Sequence, residues 1–172
     1  SPFTLTGGTY TGGTATTTFA SNVTIGSGGT FTAATTTEFT QLDTTLDVNV
    51  SQTFENVVLN KDSIRRVTIA SGDTMIVVGT LRFNTGAINA GTIEARGNVI
   101  KSSTLSGSAV IIFSGSSASG LANQTFDLTG ATASVDGDIT INKTEGRVDL
   151  LSALVMNAAN QDLNVATGTF DL

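Results

Sequence analysis

Paired carboxylates are the first residues in this chain whose type and spacing could do chemistry: Asp43 with Asp47, and Asp136 with Asp138. Two acids cleave a glycosidic bond when one protonates the leaving oxygen and the other acts as base or nucleophile. Asp136 and Asp138 are two apart and would share one face of a strand. Val135-Asp136-Gly137-Asp138 also reads as a turn, with glycine supplying a positive φ. The 172 residues contain no histidine, and no basic cluster adjoins either pair, so a hydrolase or lyase site lacks a partner. The expectation is no enzyme and no catalytic residue. Calcium is the one cofactor these acids suggest, with Asp136 and Asp138 as weak candidate ligands. Neither the Gly-Gly-x-Gly-x-Asp nonapeptide of calcium-binding β-rolls nor an EF-hand loop occurs. The absence of cysteine removes disulfides and thiolate metal sites.

Two further residue patterns bear on recognition. Four Asn-x-Ser/Thr triplets make Asn22, Asn49, Asn123 and Asn142 candidate glycosylation sites on exposed turns. Threonine runs, Thr16-Thr17-Thr18 and Thr35-Thr36-Thr37, would stack on successive coils and offer a hydroxyl-and-methyl face suited to ice. Stacked threonines also bond one another in any solenoid, and these arrays are confined to the first third of the chain.

The elements that carry these residues announce themselves by repetition. Gly7-Gly8-Thr9-Tyr10-Thr11 returns as Gly28-Gly29-Thr30-Phe31-Thr32. Ala15-Thr16-Thr17-Thr18-Phe19 returns, at nearly the same offset, as Thr35-Thr36-Thr37-Glu38-Phe39. A period of roughly 20 residues, rich in β-branched side chains and punctuated by glycine, marks stacked β coils. A longer echo relates Gln52-Thr53-Phe54 to Gln124-Thr125-Phe126, and Val57–Lys61 to Ile139–Lys143. Arg66-Val67-Thr68-Ile69 is likewise matched by Arg147-Val148-Asp149-Leu150. Each of these longer offsets amounts to about four coils, and their drift places an insertion around Leu128 to Gly137.

Apolar and polar residues alternate through many short segments, as in Leu81-Arg82-Phe83 and Leu163-Asn164-Val165, which places one face inside. Strands are also expected at Thr74–Val78, Thr92–Ala95, Val110–Phe113 and Ala153–Met156. Only Leu150–Asn160 has the composition of a helix, and the repeat alignment makes it strand. Phe19, Phe31, Phe39, Phe54, Phe83, Phe113 and Phe126 should form a stacked core. The fold expected is all-β: a parallel β-solenoid of about eight short coils, with a jelly-roll-like β-sandwich as the alternative. One repetitive domain covers residues 1–172, divided into Thr/Gly-rich coils over 1–50 and units over 51–122 and 123–172.

Composition narrows the partners. Net charge is −6, the eight basic residues are scattered, and Lys61, Arg65 and Arg66 are offset by Asp62, so no nucleic-acid groove is expected. The longest clean apolar run, Ala109 to Phe113, suits one buried strand and no membrane insertion.

The run Thr53-Phe54-Glu55-Asn56-Val57-Val58-Leu59-Asn60-Lys61 resembles repeats of very large bacterial cell-surface proteins. The stretch from Thr4 to Thr14 resembles the passenger repeats of autotransporter adhesins. The resemblance implies a parallel β-solenoid exposed on a cell surface, and it brings no catalytic residues. The expected function is a non-catalytic extracellular structural or adhesive module. Both ends read as uncapped strands, so self-association is the expected partnership, with surface glycans second. The alternatives are a carbohydrate-binding or polysaccharide-cleaving solenoid, or an ice-binding face.

Overall fold

A computed structural model describes residues 1–62, 64–131 and 135–172. Among them there are nineteen strands and no helix, and every strand pairing is parallel. The chain coils as a three-walled β-solenoid of about eight turns. A sandwich would need antiparallel hairpins, and none is present among the described residues.

With strands numbered in chain order, wall A holds β1 (Phe3–Leu5), β4 (Val23–Ile25), β7 (Thr44–Val48), β10 (Arg66–Ile69) and β13 (Ala87–Asn89). Wall B holds β2 (Gly8–Thr11), β5 (Gly29–Thr32), β8 (Ser51–Phe54), β11 (Thr74–Val77), β14 (Thr92–Ala95) and β16 (Val110–Phe113). Wall C holds β3 (Thr16–Phe19), β6 (Thr36–Gln41), β9 (Asn56–Lys61), β12 (Leu81–Thr85), β15 (Val99–Lys101) and β17 (Gln124–Asp127). The last two strands, β18 (Ile139–Leu150) and β19 (Leu163–Asp171), run across walls B and C without a break.

The short echo is the coil itself. Gly8 lies opposite Gly29, Tyr10 opposite Phe31, and Phe19 opposite Phe39. The long echo is different, because its two copies occupy different walls. Gln52 stands in β8 and Gln124 in β17, while Val57 stands in β9 and Ile139 in β18. It records a likeness of strand and corner rather than a repeat of position.

Period-two alternation puts β-branched, leucine and phenylalanine side chains inside, as in β7, where Thr44, Leu46 and Val48 are buried between exposed Thr45 and Asp47. The seven phenylalanines expected in the core are all buried, and Phe54 is fully inaccessible. Phe19, Phe31, Phe39 and Phe54 form a continuous ring column, and Phe113 and Phe126 a second contact at 5.3 Å. Close stacking dictates some glycines. A Cβ on Gly97 would lie 1.8 Å from the carbonyl oxygen of Gly79 in the preceding coil.

Two expectations fail. Ala153–Met156 is not a strand, and 151–162 is neither strand nor helix. The wall A ladder ends with β13, and this segment is held partly by a side chain. The Gln161 amide donates to the carbonyls of Val135 (2.6 Å) and Gly137 (3.1 Å). Leu163 and Val165, expected inside, are 40% and 48% exposed because β19 pairs with β18 along one edge and carries no strand on the other.

Candidate functional site

The candidate acids separate into different jobs. Asp43 sits at the corner entering β7 and accepts bonds from the Arg66 N–H (2.8 Å) and Arg65 Nη1 (3.0 Å). Those bonds, the backbone one first, hold its carboxyl below the ordinary carboxylate range. Asp47 points outward from β7 and shares neither partner. Asp136 is exposed, whereas Asp138 is half-buried and its Oδ1 accepts the Asp162 N–H at 2.9 Å. Gly137 does not take the expected positive φ. It is needed for approach instead, since a Cβ there would lie 2.1 Å from the Ala109 carbonyl oxygen. Among the described residues no three His, Cys, Asp or Glu side chains gather where they could hold a metal ion.

Asp43 and Asp138 belong to a series that sequence reading missed. Asn22 Oδ1 accepts the Thr45 N–H (2.9 Å), and Asn56 Oδ1 the Thr80 N–H (2.8 Å). Asn98 Oδ1 accepts the Thr125 N–H at 2.9 Å. In all five cases the donor lies in the next coil, and the acceptor directly precedes or opens a strand. A corner breaks the ladder and leaves a backbone donor exposed to loss; a short Asx side chain restores its partner. The signal was present: Asn22-Val23, Asp43-Thr44, Asn56-Val57, Asn98-Val99 and Asp138-Ile139 all pair an Asx with an inward β-branched residue.

Three lysines do the converse for corner carbonyls. Lys61 is 3% exposed, and its Nζ donates to the carbonyls of Thr40 (3.1 Å) and Leu42 (2.6 Å) and to Thr44 Oγ1 (2.5 Å). Lys143 is 1% exposed and donates to the carbonyls of Gly115 (2.6 Å) and Leu121 (3.1 Å) and to Gln124 Oε1 (2.6 Å). Lys101, equally buried, donates to the Ser103 carbonyl at 2.7 Å. Burial pushes all three ammonium groups below the usual lysine range, Lys61 to about 8. Each lysine threads from a strand into a turn, and Lys61 and Lys143 tie neighbouring coils.

The four sequon asparagines are all exposed. Asn22 uses its side-chain oxygen for Thr45, and Asn142 lies within β18, where its Oδ1 accepts the Thr167 hydroxyl at 3.0 Å. Asn142 is therefore on a wall rather than a turn.

The threonine runs stack as expected at Thr16 over Thr36 and Thr17 over Thr37, but Thr18 meets Glu38 and Thr37 points into the core. The more regular hydroxyl display lies on wall B. Thr9 pairs with Thr30 and Thr11 with Thr32, all four exposed, and the next coil presents exposed Ser51 and Thr53. Along wall C a polar ladder climbs from Glu38 to Asn60 to Asn84, the last pair 2.8 Å apart.

These side chains can bond, bridge and screen, and the described acids and lysines mainly join coil to coil. No family model matches this chain, and comparison with curated proteins and with solved structures yields no match either.

Proposed function

We propose that this chain is a non-catalytic structural and adhesive module of an extracellular cell-surface protein or self-assembling filament. The observation that carries the reading is the Asx series of Asn22, Asp43, Asn56, Asn98 and Asp138, which binds polar side chains into coil-to-coil fastening. Two of the four candidate acids are engaged there and hold no free carboxylate pair between them. The low charge, the absence of cysteine and the likeness of Thr53–Lys61 to bacterial surface repeats support an exported location. Calcium has no part in this reading. Eight coils at ~4.8 Å give a rod on the order of 40 Å, which transmits load along stacked ladders.

The test has two readouts. Incubation with a panel of plant, algal and bacterial polysaccharides should release no reducing ends. Release that Asp43→Asn or Asp138→Asn abolishes would overturn the reading. Negative-stain microscopy over a concentration series then separates its two forms: fibres mean a filament subunit, and single short rods mean a surface module.

A further inference from the structure

Wall B is broken in one place. The strands β2 and β5 pair in register, and β8 pairs with β11, but no ladder joins β5 to β8. The cause is a change in path length. Leu5 pairs with Ile25 and Thr16 with Thr36, so coil 1 (Leu5 to Thr16) and coil 2 (Ile25 to Thr36) take paths of equal length from wall A to wall C. Ile25 in turn pairs with Val48, and Thr36 with Asn56, so coil 3 makes the same journey from Val48 to Asn56, three positions shorter. The longer path must bow outward. Coil 2 therefore overhangs coil 3 and leaves a ledge.

The ledge is a cleft of about 280 Å³ lined by Phe31, Thr32, Ala33, Gln52, Thr53 and Glu55, with Phe54 behind. The Gln52 amide stands in for the missing ladder, donating to the Phe31 carbonyl (3.2 Å) and the Thr53 carbonyl (2.9 Å). Thr32, Thr53 and Glu55 are exposed, and none of their side-chain oxygens bonds to a described protein group. Below them Phe31 and Phe54 remain in contact, with ring centroids 5.9 Å apart.

We propose that this ledge binds a neutral sugar unit of a polysaccharide. An added β-strand is ruled out on geometry. Coils 2 and 3 stay laddered on walls A and C, so the gap opens on one side only and never reaches the two strand spacings, ~9.6 Å, that insertion requires. Polyanions are disfavoured because residues 1–60 contain no lysine or arginine. A sugar ring matches what remains. Its hydroxyls donate to the Glu55 carboxylate and exchange bonds with the Thr32 and Thr53 hydroxyls, while its C–H face meets threonine methyls and Ala33. A polymer continuing over coils 1 and 2 meets the same outward pair again at Thr30 and Thr32 and at Thr9 and Thr11.

The inference rests on the adhesive reading but not on assembly or on the lack of catalysis. The experiment is a titration of the full chain, followed by backbone amide NMR, with neutral hexasaccharides of glucose, mannose and galactose and with a hexauronate control. At least one neutral hexasaccharide should shift the amides of 31–33 and 52–55 with a millimolar or tighter Kd, and the hexauronate should not. The double variant Thr32→Val, Thr53→Val should weaken that Kd at least tenfold with its other amide shifts unchanged. Glu55→Gln, on an exposed side chain, should weaken it at least threefold. Absence of shifts with all three neutral sugars, or equal affinity in the double variant, would overturn the proposal while leaving the rod intact. Tighter binding of the hexauronate would overturn it as well.

Discussion

Replacing Lys143 by methionine is the sharpest test of how the coils are fastened. Methionine has nearly the same volume and reach, so the change removes the ammonium without opening a large cavity. Lys143 Nζ supplies donors to the Gly115 carbonyl, the Leu121 carbonyl and Gln124 Oε1. Gln124 Oε1 keeps the Gly115 N–H at 3.0 Å, which leaves two carbonyls without that donor. An orphaned buried acceptor costs about 1–3 kcal/mol, and the part-buried Leu121 carbonyl falls at the low end. Against this stands the relief of no longer burying a cation, since burial already holds the Lys143 ammonium below its usual range. That relief offsets part of the cost, and the expected net loss is about 2 kcal/mol. Lys143→Ala should lose about 2 kcal/mol more, because roughly three buried methylenes vanish. Urea unfolding gives the totals, and hydrogen exchange gives the location. Exchange should quicken at 115–124 and stay unchanged in coils 1–3, as expected of a stack with nearest-neighbour coupling. A Lys143→Met protein as stable as the parent, or more stable, would refute the argument. The desolvation of the ammonium would then outweigh its bonds, and the buried lysines would not be fasteners.

Two other outcomes follow from the same packing. Burial lowers the Lys61 ammonium to about 8, so the folded chain gives up this proton before the unfolded chain does. Between about 8 and the free value of 10.5 the unfolded state holds more protons, and stability should rise with pH. Urea midpoints at pH 7.5, 8.5 and 9.5 should climb, and Lys61→Met should flatten the climb. A parent midpoint that falls across this range contradicts the burial argument. Phe54→Ala removes a fully buried ring that touches both Phe31 and Phe39, at a cost of about 3–5 kcal/mol by calorimetry or urea unfolding. A cost under about 1 kcal/mol would mean that the phenylalanine column does not carry the stack.

Much of the fold was legible because its causes are local and repeated. Inward and outward positions follow from period-two alternation, so Leu81, Arg82 and Phe83 could be assigned from their order alone. The echo of Gly8 in Gly29 and of Phe19 in Phe39 is the coil period, and it fixed which residues stack. The echo failed where a wall ceased to be a wall. Among the described residues no strand continues the wall A ladder past β13, and Ala153–Met156 has strand composition but no strand partner.

The site was less legible, for a physical reason that applies to each part of it. Lys61 and Lys143 look solvated in the sequence because charge predicts exposure; burial depends on partners that lie 17 to 28 residues away. Asp138 looks like half of an acid pair until the Asp162 N–H arrives from the next coil. The ledge has no local signature at all, since it exists only as a small difference between the path lengths of adjacent coils. By itself the sequence determined the class, the period and the inward face of the regularly alternating strands, because those follow from side-chain alternation and repetition along one chain. Only the tertiary structure decided which carboxylates, ammonium groups and hydroxyls find partners and which are left open, because hydrogen bonds between coils are made at distances the linear order does not encode.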